Sequence, residues 1–253
     1  MRVPLIALLV AMAGADASAQ SPDLIDADRP GLADTGRTVG AGTVQFEVGL
    51  QWEQRGSQDS EFVPALFRIG LGDRLEARIE GNTVTTAVID GIRQTGLATT
   101  SFGLAFAVVP DAEGHRPSVG IIARALPPWA SSAFETQSVT GDVRLAAEWD
   151  VSEHVSINPN IGLGWYEGES GSFVTGLFAL TASYAPRPQV SWFIDSGVKF
   201  PEVEEGTTAV VIDGGVAYIP RENWQIDISA GTRAHGETPP RPFVAIGFAY
   251  RHK

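Results

Sequence analysis

Hydrophobic and polar positions alternate along most of this chain, and the clearest block runs from Glu61 to Asn82. Val63, Ala65, Phe67, Ile69 and Leu71 alternate there with Phe62, Pro64, Leu66, Arg68 and Gly70. After the Gly70-Leu71-Gly72-Asp73 reversal, Leu75, Ala77 and Ile79 alternate with Glu76, Arg78 and Glu80. Period-two patterning on both sides of a short Gly/Asp turn predicts a β-hairpin. Its second strand is charged on one face and apolar on the other, as suits a wall between water and an apolar medium.

The same pattern recurs on either side of that hairpin. Val44, Phe46, Val48, Leu50 and Trp52 define a first strand over Thr43 to Glu53, followed by a polar insert, Gln54–Ser60. Beyond Asn82 a Thr/Gly-rich stretch to Gly96 reads as a strand end and a longer loop. Further strands are predicted around Phe102–Val108, Ser118–Leu126, Val139–Val151, Val155–Trp165, Ser172–Ala185, Val190–Val198, Thr207–Ile219, Trp224–Ala230 and Val244–Tyr250. The total is twelve. Turns such as Ser152-Glu153-His154, Pro186-Arg187-Pro188 and Pro220–Asn223 follow even-numbered strands, whereas longer loops (83–96, 128–137, 234–241) follow odd-numbered ones. Short turns at one end and longer loops at the other predict an antiparallel, up-and-down transmembrane β-barrel.

The amino terminus changes the picture by adding export. Met1-Arg2-Val3-Pro4, the apolar run Leu5 to Ala13 and Ala17-Ser18-Ala19 have the order of a secretory signal, with cleavage expected at Ala19–Gln20. The chain then divides into a signal peptide (1–19), an irregular Pro/Gly-punctuated segment (20–40) and a barrel (41–253). Cysteine is absent, which excludes disulfide staples and thiolate metal sites. Net charge is −12, so phosphate backbones are repelled and nucleic acid is excluded as a partner.

Trp52, Trp149, Trp165, Trp192, Trp224 and Tyr250 fall on apolar faces near strand ends. They fit the aromatic girdles of a membrane barrel, or the core of a soluble β-sandwich. The opposite faces carry Glu47, Arg68, Glu76, Arg78, Glu80, Arg124, Asp142, Arg144, Glu148, Asp195, Lys199, Asp213, Asp227 and Arg233. In a barrel these would line the lumen, either as a pore wall that sets charge selectivity or as pairs that fill a narrow interior. Negative charges along the route would disfavour anions.

Catalytic chemistry finds little support. His115, His154, His235 and His252 sit in turns, a loop and the carboxyl terminus, away from any Ser–carboxylate pair and without metal-ligand spacing. Glu76 and Glu80 share a face as a carboxylate pair, which is the ordinary state of a charged lumen. Gly214-Gly215 precedes no helix and forms no phosphate loop. No catalytic residue, metal site or cofactor is assigned.

Several stretches resemble an outer-membrane transporter-like family named for the meta-pathway of phenol degradation. They are Asp28-Arg29-Pro30, the run Gly42 to Gly49 (GTVQFEVG), the run Leu66 to Arg78 (LFRIGLGDRLEAR), and the strand from Pro117 to Pro127. The chain departs from that family in Pro127-Pro128-Trp129 and in ending on Arg251-His252-Lys253 rather than on an aromatic residue. The resemblance implies movement of small molecules, aromatic or hydrophobic ones among them, and defines no catalytic residue.

The reading is therefore an outer-membrane barrel of about twelve strands in a Gram-negative cell, porin-like and without enzyme activity or cofactor. Its expected partners are outer-membrane lipid, a small-molecule solute and the barrel-assembly machinery. The rivals are a secreted soluble β-sandwich binding protein and a lipid-modifying barrel enzyme.

Overall fold

The computed structural model describes residues 24–55, 58–89, 91–110, 116–168, 171–199, 208–236 and 242–253. The signal-peptide reading, His115 and the side chain of Lys199 lie outside the described residues. The strands are β1 (Val44–Arg55), β2 (Gln58–Gly70), β3 (Leu75–Ile89), β4 (Ile92–Leu97), β5 (Thr100–Val109), β6 (Ser118–Leu126) and β7 (Thr140–Asp150). They continue with β8 (Val155–Gly168), β9 (Gly171–Arg187), β10 (Val190–Lys199), β11 (Ala209–Arg221), β12 (Trp224–His235) and β13 (Phe243–His252).

Apart from β4 and β5, which both pair with β3 and not with each other, each strand pairs antiparallel with its sequence neighbours, and β1 pairs with β13 as well as β2, so the sheet closes on itself. The lower part of β3 pairs with β5 and its upper part with β4. β4 and β5 therefore form one wall strand interrupted at Ala98-Thr99, and the barrel has twelve wall positions.

Which face looks outward decides between a membrane barrel and a soluble sandwich. On β7, Val143, Leu145 and Trp149 are 43%, 45% and 42% exposed, whereas Arg68 and Glu76 on the opposite face of β2 and β3 are 1% and 0% exposed. Polar inside and apolar outside is the arrangement that hydrocarbon selects and water rejects. The sandwich reading is overturned by it.

The aromatic residues mark both rims. Trp149, Trp192, Trp224 and Tyr250 gather near the short-turn end, where Trp192 contacts Tyr184 at 5.9 Å and Trp224 contacts Tyr250 at 6.3 Å between ring centroids. Trp52 and Trp165 lie toward the other end, and Trp129 sets its edge on Phe102 at 5.9 Å.

Two expected loops are strands instead. The stretch 83–96 forms the upper hairpin of β3 and β4, with pairs from Val84↔Leu97 to Ile89↔Ile92. Thr83 is an extra residue in the β2–β3 ladder, which shifts between Val63↔Val84 and Pro64↔Asn82. Such a bulge reverses the alternation, so outward positions switch from odd (Leu75, Ala77, Ile79) to even (Val84, Thr86, Val88) and the period-two signal is lost. Gln54–Ser60 is likewise mostly paired, from Gln54↔Asp59 to Arg55↔Gln58. An exposed Arg93–Glu61 ion pair (3.0 Å) joins the β3–β4 hairpin to β2. The turn after β9 falls at Pro188-Gln189, two residues later than expected, and His235 ends β12 rather than opening a loop.

Candidate functional site

The irregular segment before β1 does not simply lead into the barrel; it folds back into the lumen. Its first leg enters at the short-turn end, where Ile25 N–H donates to the Glu222 carbonyl (2.7 Å) and Arg251 Nη1 donates to the Leu24 carbonyl (2.8 Å). The tip is Pro30-Gly31-Leu32, with Leu32 N–H donating to Asp195 Oδ2 (3.0 Å). The second leg returns to the same end, where Val39 N–H donates to Glu76 Oε2 (2.8 Å) and Thr38 Oγ1 to the Asp73 carbonyl (3.1 Å). Gly40 and Gly42, with φ of 84° and 74°, then turn the chain into β1 through conformations that other residues rarely adopt.

Asp34 is the centre of this contact. Its carboxylate meets Arg144 Nη1 (2.7 Å), Arg78 Nη2 (3.2 Å) and Arg124 Nη2, which reach it from β7, β3 and β6. Its backbone N–H donates to Asn160 Oδ1 and its carbonyl accepts from Asn160 Nδ2, each at 2.9 Å. Burial alone would raise the Asp34 carboxyl, but Arg124, Arg144 and Arg78 together hold it well below the usual carboxylate range.

A second knot ties the two legs to each other and to β1–β3. Asp28 pairs with Arg78 through Oδ2, and its Oδ1 accepts from the backbone N–H of Thr35 (2.9 Å). Glu47 accepts from the backbone N–H groups of Asp28 (3.3 Å) and Arg29 (2.9 Å). Arg68 is held by both carboxylate oxygens of Glu76 (2.9 and 3.1 Å) and donates to the carbonyls of Asp26 and Arg37, each at 3.2 Å. Thr35 Oγ1 donates to Glu148 Oε2 (2.8 Å), and Arg37 pairs with Glu148 (3.3 Å).

The wall is hollowed to receive this segment. The Arg29 guanidinium lies over the paired glycines Gly49 and Gly247, where a Cβ at either would sit 2.4 Å from it. It reaches Asp227 at 3.4 Å. Gly36 rests against Gly120 and the Ala146 carbonyl, again too close for a side chain. Above the tip, toward the end away from the short turns, is a cavity of about 380 Å³. Arg29, Leu32, Pro64, Leu66, Glu80, Arg144, Val211 and Phe243 are among its lining residues. A smaller cavity of about 130 Å³ lies beside the first leg.

The profile of the family described as "Putative MetA-pathway of phenol degradation" matches residues 27–252. The chain belongs to this family. Among solved structures it is similar to an outer membrane channel from Pseudomonas putida F1, at 12% identity and a TM-score of 0.68, over 86% of this chain and 98% of that one. It is also similar to the KdgM porin (10% identity, TM-score 0.54) and the NanC porin (12%, 0.54), each over 82% of this chain and 98% of the other. These likenesses are of fold. No curated protein sequence matches the chain.

In this family member Glu47, Arg68, Glu76, Arg78, Arg124, Asp142, Glu148, Asp195, Asp213 and Asp227 are buried on the inner face, and Glu80, Arg144 and Arg233 are half-buried. Arg124 gathers Glu80 (2.8 Å) and Asp142 (3.2 Å), and Arg144 also pairs with Asp142 (2.8 Å). Asp195 and Asp213 face each other across β10 and β11. The interior is not uniformly negative: Arg68, Arg78, Arg124 and Arg144 group on β2, β3, β6 and β7. His154 packs on Tyr184 at the short-turn end, and His252 ends β13. Asp26, Asp28, Arg29, Asp34, Thr35 and Arg37 were not among the residues expected at the site. The arginines gathered on four strand faces were the signal that acidic partners had to come from elsewhere in the chain.

Proposed function

We propose that this protein is an outer-membrane channel for passive passage of small molecules, with residues 24–42 as an internal plug that restricts the lumen. The observation that carries this reading is a closed barrel, apolar outside and ionic inside, with a cavity of about 380 Å³ above a segment anchored by ion pairs. The similar solved structures, described as an outer membrane channel and as porins, support it. Thirteen charged inner-face positions, from Glu47 to Arg233, then line or flank the solute route. The chemistry is transfer, with no covalent step and no cofactor.

The family description supports aromatic or hydrophobic solutes among those carried. The amino-terminal signal is removed at Ala19–Gln20, and the barrel-assembly machinery inserts the mature chain into outer-membrane lipid.

Conductance in a planar bilayer tests this reading. The intact protein is expected to give small or infrequent steps, and a variant lacking residues 26–36 is expected to give large, long-lived ones. A correctly inserted variant without steps at any voltage would overturn it.

A further inference from the structure

Three guanidinium nitrogens of the wall find their hydrogen-bond acceptors only on the plug. Arg124 Nη2 and Arg144 Nη1 donate to Asp34 alone (2.7 Å from Arg144), and Arg78 Nη2 donates to Asp28 and to Asp34 (3.2 Å to the latter). The wall carboxylates are engaged at other atoms of these arginines: Glu80 takes Arg124 Nε (2.8 Å), and Asp142 takes Arg124 Nη1 (3.2 Å) and Arg144 Nε (2.8 Å). A buried charged donor left without an acceptor costs more than a neutral one. Undocking of the plug therefore leaves a cationic seat that an incoming anion refills.

The seat has the shape of a carboxylate site. Asp34 Oδ1 accepts from Arg78 and Arg124 and Oδ2 from Arg144, so one planar group with two oxygens takes all three donors. The upper cavity of about 380 Å³ reaches it, because Asp34 and Arg144 both line that cavity. Arg144 Nη2 makes no hydrogen bond among the described residues. The apolar side chains beside them are Leu32, Pro64, Leu66, Val211 and Phe243, and Glu80, which also lines the space, is taken up by Arg124. A further cavity of about 150 Å³ shares Leu32, Arg144 and Val211 and extends to Tyr166, Leu177 and Ala179. A space of about 150 Å³ already holds a benzene ring.

We propose that the three-arginine seat is a solute-binding site, that its ligand is a small monocarboxylate with a ring-sized apolar body, and that Asp34 is a tethered stand-in for that ligand. This rests on the channel reading and names the solute class that moves the plug. The solute's carboxylate replaces that of Asp34 on Arg78, Arg124 and Arg144, and its body lies against the apolar side chains of the cavity. Solute and Asp34 exclude each other, so each weakens the other's binding by the same factor. An uncharged molecule has no claim on the charged donors, and a bare ion gains nothing from the apolar wall.

Competition between benzoate and the plug tests it in the full-length barrel. Benzoate supplies a carboxylate and a ring, acetate the carboxylate alone, and benzyl alcohol the ring without charge. Protease cleavage at residues 24–40 of the folded barrel and conductance steps in a planar bilayer are read at constant ionic strength. Benzoate is expected to raise both and to saturate, whereas benzyl alcohol changes neither. Acetate is expected to need about tenfold more, because it buries several fewer carbon groups. Gly49→Ala, which loosens the plug through Arg29 and away from the three arginines, is expected to lower the half-effect concentration of benzoate. The factor equals its increase in cleavage without benzoate, since apparent affinity scales with the fraction of free sites. Arg144→Gln is expected to raise cleavage without benzoate and to abolish the response to it.

A conducting native barrel whose cleavage and steps ignore benzoate would overturn the carboxylate site and leave the channel standing. Equal potency of benzyl alcohol would overturn it too, because the arginines would then play no part, and equal potency of acetate would remove the apolar body. A benzoate response kept by Arg144→Gln would put the effect elsewhere in the barrel and sink the proposal. If Arg144→Gln fails to insert, Gly49→Ala decides: raised cleavage with an unchanged half-effect concentration excludes competition. Absence of conductance from the variant lacking residues 26–36 would instead overturn the channel reading, whatever benzoate does to cleavage.

Discussion

Asn160 holds Asp34 by the backbone: its amide accepts from the Asp34 N–H and donates to the Asp34 carbonyl, each at 2.9 Å. One β8 side chain thereby satisfies both main-chain groups of the plug residue that three arginines hold by its carboxylate. Asn160→Leu leaves two backbone groups without partners at a cost of about 1–3 kcal/mol each. The expected outcome is frequent large conductance steps from a barrel whose heat-induced change in gel mobility is unaltered.

Replacing the charge at the same residue acts more strongly. Asp34→Asn leaves Arg78, Arg124 and Arg144 without their shared counter-ion, and removing one partner from a buried ion cluster costs about 3–5 kcal/mol. The plug of this variant is expected to be undocked most of the time. Protease cleavage at residues 24–40 in the folded barrel measures it, with the native protein resistant.

Acid acts on the same carboxylate. Its folded-state value is depressed from an ordinary 3.8, so the docking it contributes is complete above about pH 4 and declines as the pH falls further. Mean conductance in the native barrel is expected to rise on acidification below pH 4 and to return on neutralisation. In Asp34→Asn this part of the pH dependence should be missing.

Gly49 is bare because Arg29 lies on it. Gly49→Ala is expected to dislodge the guanidinium and weaken the plug, whereas the same change in an Arg29→Ala background should be nearly neutral. Neighbours that share one space couple by about 0.5–3 kcal/mol. Denaturant unfolding of the four proteins of this cycle reads that coupling.

The faces of the strands were legible because hydrocarbon on one side and ions on the other impose strict alternation, as Val143, Arg144 and Leu145 show. The β3–β4 hairpin was not, because Thr83 reverses the phase just where the apolar residues give way to threonines. The inner-face charges could be named from parity alone, but their partners could not. Asp28 and Asp34 sit in a stretch without periodicity, and nothing local indicates that it turns back into the lumen.

Both legs of the plug leave through the same mouth, beside Glu222 and Asp73, with Pro30-Gly31-Leu32 innermost. No part of residues 24–42 has to be threaded past the far rim. A nascent cylinder can therefore seal β1 against β13 while still hollow and receive its stopper last, as a bight of chain pushed up from the short-turn side.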